Sequence, residues 1–196
     1  LMIKWLIGSA AVGYYHVSLK LIGLVGLSFS YVNKVVAPIM NSLHQDHSRL
    51  ILLTKKGLSL TSLLAIPTVI CGMYLSDNLI SFLYGPSFIH ASRTFQIMLL
   101  TLFLGSLLNY INHTLSILRY EVKNMYISSF SIFINICLNL YLIPKWGIEG
   151  AAIATLSAKC VDILFSYTYC YRTLRSHLFD LIPLMKYVSI SLGILF

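Results

Sequence analysis

From Met125 to Ile143 the sequence carries no charged side chain, and a second apolar stretch follows after only a few residues. Pro144 should end a helix over the first stretch, because its ring removes a backbone hydrogen bond and crowds the preceding turn. Glu149 then lies where the positive end of the next helix dipole favours an anion. The pattern predicts two membrane helices that are joined by a tight loop.

The second of these helices has small residues at steps of four, namely Gly150, Ala154 and Ala158. Residues four apart lie on one side of a helix, so the three form a continuous narrow face. A face of small side chains lets the backbone of another helix approach closely inside a membrane. We therefore expect this face to pack against another helix.

Apolar segments recur along the whole chain, and a helix needs about 20 residues to cross a hydrocarbon core roughly 30 Å thick. Candidate spans are predicted near residues 10–31, 57–75, 95–118, 125–143, 150–171 and 181–196. With 58% hydrophobic and 10% charged residues, the chain has too little polar surface for a soluble globule. The predicted fold is an all-α, polytopic transmembrane helix bundle, a single embedded unit of about five complete spans and a truncated sixth.

The basic residues of the predicted loops divide unevenly between the two sides of the membrane. One side takes Lys34, Arg49, Lys55, Lys56, Arg119, Lys123, Arg172, Arg175 and Lys186, and the other takes Lys4, Arg93 and Lys145. Short cytoplasmic loops collect Lys and Arg, so the richer side is assigned to the cytoplasm. Trp5 and Trp146 then fall at the outer interface, which amphipathic rings prefer.

The net charge of +8 would suggest nucleic acid in a soluble chain. Here the cations are spread over loops beside anionic lipids, so membrane lipids are the expected partners and nucleic acid is not. We expect no cofactor and no metal, because His44, Asp46 and His47 match no metal site. The cysteines lack ligand spacing and are expected to be buried, inert thiols.

Charged side chains in mid-membrane are the strongest functional signal, since insertion scales give roughly 2.5–3.5 kcal/mol for each one at the bilayer centre. Lys20 shares a helix face with His16 and has no acid in its own span, so it is interpreted as substrate-facing. Snorkelling, or an acid elsewhere in the protein, is the alternative. Lys159 and Asp162 lie three residues apart on one face, where they either neutralise one another or contact substrate.

Two further spans carry weaker polar stripes. One contains Gly105, Asn109, Asn112 and Ser116, and the other contains Ser128, Ser131, Asn135 and Asn139. Hydrogen bonds between helices are the favoured explanation, because Ser and Asn commonly connect helices in membrane bundles. Asn109, Asn135 and Asn139 are kept as candidates for contact with substrate in a central cavity.

Four stretches, in the expected order, resemble a known family. They are residues 14–21, residues 37–40 with Asp46 and Arg49, residues 83–88 with Ala91, and residues 138–155, of which the last is the most specific. They are similar to the C-terminal half of polysaccharide flippases of the multidrug/oligosaccharidyl-lipid/polysaccharide exporter superfamily. The resemblance implies a two-lobed transporter of roughly twelve to fourteen helices, of which this chain supplies most of one lobe.

The resemblance also implies a function without enzyme activity. Such a protein flips undecaprenyl-diphosphate-linked oligosaccharide units across the inner membrane during assembly of O-antigen, capsule or a related polysaccharide. Its expected partners are the lipid-linked oligosaccharide and the N-terminal lobe of the same protein. A drug or cation antiporter of the same superfamily is an alternative, although Asp162 is the only acid in mid-membrane. An integral-membrane glycan polymerase or ligase is another, although the predicted outer loops are short.

Overall fold

The computed structural model describes residues 2–43 and 46–174, and this part of the chain folds into helices without strands. The helices are α1 (Met2–Ile7), α2 (Ser9–Ser42), α3 (His47–Tyr84), a 3-10 helix (Pro86–Ala91), α4 (Ser92–Ile117) and α5 (Glu121–Leu174). The all-α fold is therefore confirmed. The predicted span at 181–196 lies outside the described residues.

Four helical stretches in the described part are long and apolar enough to cross a membrane. They are Ala11–Ser42, His47–Tyr84, Pro86–Ile117 and Glu121–Leu174. The last stretch contains two of the predicted spans, 125–143 and 150–171. Its backbone leaves the helical conformation between them, at Gly147. The five predicted spans from 10–31 to 150–171 lie within these four stretches, apart from residues 10 and 118, which lie one residue outside them.

Helix α5 is thus a hairpin of two halves, residues 121–146 and 148–174. Gly147 has a φ of 58°, in the left-handed region that other residues rarely adopt, and this reverses the chain. The predicted end at Pro144 is wrong, because the helix runs on through the proline to Gly147. A proline near the end of a helix removes one backbone hydrogen bond, because its nitrogen has no hydrogen to donate. The helix tolerates this loss, and the chain turns at Gly147, where a positive φ is accessible.

The two halves of α5 touch at Gly150. A Cβ atom placed there would lie 2.3 Å from the backbone oxygen of Leu142 in the first half. Only glycine fits at this separation, since no side-chain atom can come so near a carbonyl oxygen. Ala154 and Ala158 on the same face are also buried, as the steps of four predicted.

Helices α3 and α4 pack closely through glycine, tyrosine and threonine. The ring of Tyr110 fills the space beside Gly57, where a Cβ would lie 2.5 Å from the ring. Thr61 donates a 3.2 Å hydrogen bond to the hydroxyl of Tyr110, and the hydroxyls of Thr54 and Thr114 are 2.9 Å apart. All of these polar groups are buried, so hydrogen bonds between helices satisfy side chains that lipid cannot.

Buried apolar clusters hold the two ends of the bundle. At one end α2, α3, α4 and α5 meet through Met40, Leu50, Leu58, Leu107, Tyr110, Ile111, Leu115 and Cys170. At the other end α2, α3, the 3-10 helix and α4 meet through Val17, Leu21, Val69, Ile80, Ala91, Phe95 and Leu99. Ser18 reinforces the second cluster with a 3.0 Å hydrogen bond to the backbone oxygen of Ala91.

Only one of the four cysteines is buried, which corrects the expectation from sequence. Cys170 lies in the core, Cys71 is half-buried, and Cys137 and Cys160 are exposed on α5. A thiol behaves as a small apolar group, so a position on a lipid-facing helix surface carries no penalty for it. All four are free thiols.

The orientation assigned from the basic residues predicts opposite labelling at the two ends of helix α3. Ser48 lies near its start and Ser87 just beyond its end, and both are exposed. In a background without native cysteines, an impermeant thiol reagent added to intact cells should label a cysteine at Ser87 and spare one at Ser48. Labelling at Ser48 from outside would show that the charge-based orientation is inverted.

The contact at Gly150 predicts that even one methyl group destabilises the α5 hairpin. Gly150→Ala should lower the free energy of unfolding by about 1–3 kcal/mol, because the backbone of Leu142 must move away. Gly105→Ala is the matched control, since a Cβ there has no atom within 4 Å. Thermal unfolding of the purified intact protein in detergent is the measurement, and equal stability of both variants would contradict the close approach.

Candidate functional site

A polar groove runs between α2, α4 and the second half of α5. Its central part, called here the groove cavity, has a volume of about 430 Å³. Helix α2 contributes one stripe of residues at helical spacing, Tyr15, Leu19, Ile22, Gly26, Phe29, Ser30 and Asn33. Helix α4 contributes Asn109 and its neighbours, and α5 contributes Thr155 and Lys159. The groove therefore combines amide, hydroxyl and ammonium groups inside an otherwise apolar bundle.

Two further cavities adjoin the groove cavity. The end cavity, of about 540 Å³, shares Asn33 and Asn109 with it and extends to Glu121 and Asn124. The hairpin cavity, of about 310 Å³, shares Thr155 and Lys159 with it and lies beside the halves of α5. Asn112 lines both the end cavity and the hairpin cavity. The three cavities are thus neighbours that share polar lining residues.

The structure brings Lys159 and Asp162 together in the hairpin cavity. Their Nζ and Oδ2 atoms are 3.8 Å apart, and the Lys159 side chain is 38% exposed whereas that of Asp162 is 8% exposed. Ser128, on the first half of α5, donates a 3.5 Å hydrogen bond to Oδ1 of Asp162. The acid is buried inside the hairpin, while the base reaches towards the groove.

Asn135 and Asn139 lie on the first half of α5. Asn139 is buried and donates a 2.8 Å hydrogen bond to Oδ1 of Asn135. The side-chain nitrogen of Asn135 donates a 3.5 Å hydrogen bond to the hydroxyl of Thr155. Asn135 lines the hairpin cavity, whereas Asn139 lines none of the three cavities. Asn139 thus bonds within the first half of α5 and lies away from the three cavities, and its contact with substrate stays a prediction.

Lys20 and His16 lie elsewhere. Both are exposed, as are Gly13 and Gly23 on the same face of α2, and neither lines any of the three cavities. Within the described residues, the structure places no hydrogen-bond or ion-pair partner at Lys20. Lys20 and Lys159 thus occupy different surfaces of the described bundle, and of these two lysines only Lys159 lines the groove.

Sequence reasoning missed the groove face of α2. Tyr15, Ser30 and Asn33 recur at near-helical steps, and this spacing was the available signal. The sequence indicated the face through Lys20 instead, because a lone charge inside an apolar span is a stronger signal than scattered neutral polar residues. A tyrosine, a serine and an asparagine become a site only when α4 and α5 lie opposite them.

A metal site finds no support in the described residues, where no three His, Cys, Asp or Glu side chains come close enough to hold an ion. Asp46 accepts a 3.0 Å hydrogen bond from the backbone of Arg49 and so caps the start of α3. His44 lies outside the described residues. Asn112 presents a different polar feature, a buried side-chain oxygen without a hydrogen-bond partner in the described structure.

Comparisons with known proteins point in one direction. Residues 1–93 match a family described as "Polysaccharide biosynthesis protein". The chain is 26% identical over 161 residues to "Probable flippase AglR" of Haloferax volcanii and 24% identical over 181 residues to "Capsular polysaccharide biosynthesis protein CapF" of Staphylococcus aureus. The resemblance to polysaccharide flippases is confirmed. These matches cover 80% and 88% of this chain respectively.

The fold is that of a known transporter. A solved structure titled "Lipid II flippase MurJ, inward closed conformation" superposes with a TM-score of 0.81 over 97% of this chain, at 19% sequence identity. The chain spans 41% of that structure, and 34% and 44% of the lengths of AglR and CapF. It is a multi-pass membrane protein with a MurJ-like fold, and its likeness is to flippases rather than enzymes.

Different environments predict different roles for two asparagines. Asn139→Leu should lower the free energy of unfolding by about 1 kcal/mol, since it removes a buried hydrogen bond between side chains. Asn109→Leu should leave stability nearly unchanged, because Asn109 is exposed in the groove. Thermal unfolding of the two purified variants checks this, and a larger loss for Asn109→Leu would reverse the assignment.

Proposed function

We propose that the intact protein flips undecaprenyl-diphosphate-linked oligosaccharide repeat units from the inner to the outer leaflet of the inner (plasma) membrane. The product would serve the assembly of O-antigen, capsule or a related polysaccharide. The observation that carries the proposal is the polar groove with Lys159 in it, set in a MurJ-like helix bundle. The names of the two relatives, a probable flippase and a capsular polysaccharide biosynthesis protein, support a flippase that serves polysaccharide assembly.

The groove chemistry suits each part of such a substrate. A sugar needs hydrogen-bonding partners in place of water, and Asn33, Asn109 and Ser30 supply amides and a hydroxyl. A diphosphate needs a cation, and Lys159 offers one at a partly exposed position. The polyprenyl tail is apolar and can stay in the lipid alongside the exposed apolar helix faces.

Helix α2 supports the proposal that a second lobe completes the site. In the most apolar 18 residues of α2, only 6% of the residues are buried within the described chain. The corresponding share is 33% for α3 and 50% for the stretch that contains α4. Its exposed face carries Lys20 and His16, charged and polar groups that lipid does not favour. In a two-lobed transporter this face would border the cavity between the lobes, and rocking of the lobes would give alternating access.

The antiporter alternative requires an acid that is free to bind a proton or a cation. The mid-membrane acid in the described part of the chain, Asp162, lies 3.8 Å from Lys159. This arrangement favours mutual charge compensation over cation capture, and it supports the flippase proposal.

Complementation tests the proposal and the role of Lys20 together. The intact protein should restore surface polysaccharide in a strain lacking its flippase. Lys20→Arg keeps the cation and should retain part of the export, whereas Lys20→Ala should abolish it at normal protein abundance. Leu164→Ala, at an exposed apolar position of α5, is the matched control and should export normally.

Two results would contradict different parts of this proposal. Failure of the abundant, correctly inserted wild-type protein to restore any surface polysaccharide would refute the flippase function. Wild-type export by Lys20→Ala would refute only the assignment of Lys20 to the substrate path.

A further inference from the structure

The ion pair in the hairpin cavity is longer than a direct charge-assisted hydrogen bond. Such bonds between an ammonium and a carboxylate measure about 2.7–2.9 Å, whereas Lys159 Nζ and Asp162 Oδ2 are 3.8 Å apart. The pair is also unequal, because the acid is buried and the base is more than a third exposed. The lysine is held near the acid without being locked to it.

Lys159 belongs to two cavities at once. It lines the hairpin cavity together with Asp162, and it lines the groove cavity, which Asp162 does not reach. A lysine side chain has four carbons of flexible stem, so its ammonium can move several ångströms while the backbone stays in place. Rotation of this one side chain therefore carries a positive charge from the hairpin into the groove.

The hairpin cavity can accommodate the carboxylate after the ammonium leaves. Ser128 already donates to Oδ1 of Asp162, and Ser131 and Thr155 also line the cavity. Its volume of about 310 Å³ has room for water molecules, and its polar lining gives them partners. Asp162 would thus exchange one charged partner for hydroxyl groups and water instead of being left bare.

We propose that Lys159 is a mobile cation that exchanges between Asp162 and a diphosphate-class anion in the groove. Asp162 is the positioning residue, which holds the ammonium when the groove is empty and competes with the anion when it is occupied. The identity of the anion rests on the proposed function, whereas the exchange rests on the shared lining of the two cavities.

The exchange makes a prediction that a static ion pair does not. Removing the carboxylate removes a competitor, so Asp162→Asn should bind a diphosphate probe more tightly. The pair is partly exposed and worth up to about 1 kcal/mol, which corresponds to a gain of about two- to fivefold. If the pair served packing alone, loss of Asp162 would leave anion binding unchanged or weaken it.

Chemical protection of Lys159 provides the measurement. The purified intact protein is treated with an amine-acylating reagent over a series of inorganic pyrophosphate concentrations, and acylation of each lysine is quantified by mass spectrometry. Pyrophosphate should protect Lys159 and leave Lys56, an exposed lysine of α3, fully reactive. In Asp162→Asn the half-protecting concentration should fall two- to fivefold. Asp77→Asn, at an exposed acid of α3, is the matched control and should behave as wild type.

The wild-type measurement alone keeps the proposal falsifiable if Asp162→Asn fails to fold. Unchanged acylation of Lys159 at every pyrophosphate concentration would overturn the exchange. So would a half-protecting concentration in folded Asp162→Asn that is equal to or above the wild-type value. Export of polysaccharide by the wild-type protein, without protection of Lys159 by pyrophosphate, would refute the exchange and leave the flippase proposal standing. Protection of Lys159 without export would refute the flippase proposal and leave the exchange standing.

Discussion

Close contact between the two halves of α5 is the constraint on which the candidate site depends. Gly150 lies against the backbone of Leu142, and this fixes how the halves align from the turn onward. Asn135 then meets Thr155, and Ser128 meets Asp162 about two turns further along. A side chain at Gly150 would spread the halves and separate all of these polar pairs. The position of Lys159 in the groove therefore depends on a residue with no side chain of its own.

Polar side chains in this bundle perform two different tasks. Thr54, Thr61 and Thr114 are buried between α3 and α4, where their hydroxyls find partners on the facing helix or on their own backbone. Asn33 and Asn109 face the groove, where they remain available to water or to a ligand. Helices α3 and α4 thus pack together through buried hydroxyls, whereas α2, another part of α4 and the second half of α5 supply the walls of the groove.

Local features of this fold could be predicted from the sequence, and features that need several helices could not. The helical segments follow from apolar length, and the burial of Ala154 and Ala158 follows from their spacing. The proximity of Lys159 and Asp162 follows from their separation along one helix. The spacing of Tyr15 and Asn33 marks one face of α2, but it does not show that this face lines a groove, because that depends on α4 and α5 lying opposite it. The exposed Cys137 and Cys160 were missed because lipid accepts a thiol as readily as a core does. The role of Lys20 remains a prediction.

The α5 hairpin has a further consequence for the order of assembly. Its contacts join residues that are close in sequence, so only a short loop must close before they form. Local contacts of this kind form quickly, whereas α2 has little buried surface with which to anchor itself. During biosynthesis the hairpin should fold as a unit as soon as both halves enter the membrane. Helix α2 should settle later, when α3, α4 and α5 have formed the surfaces against which it packs.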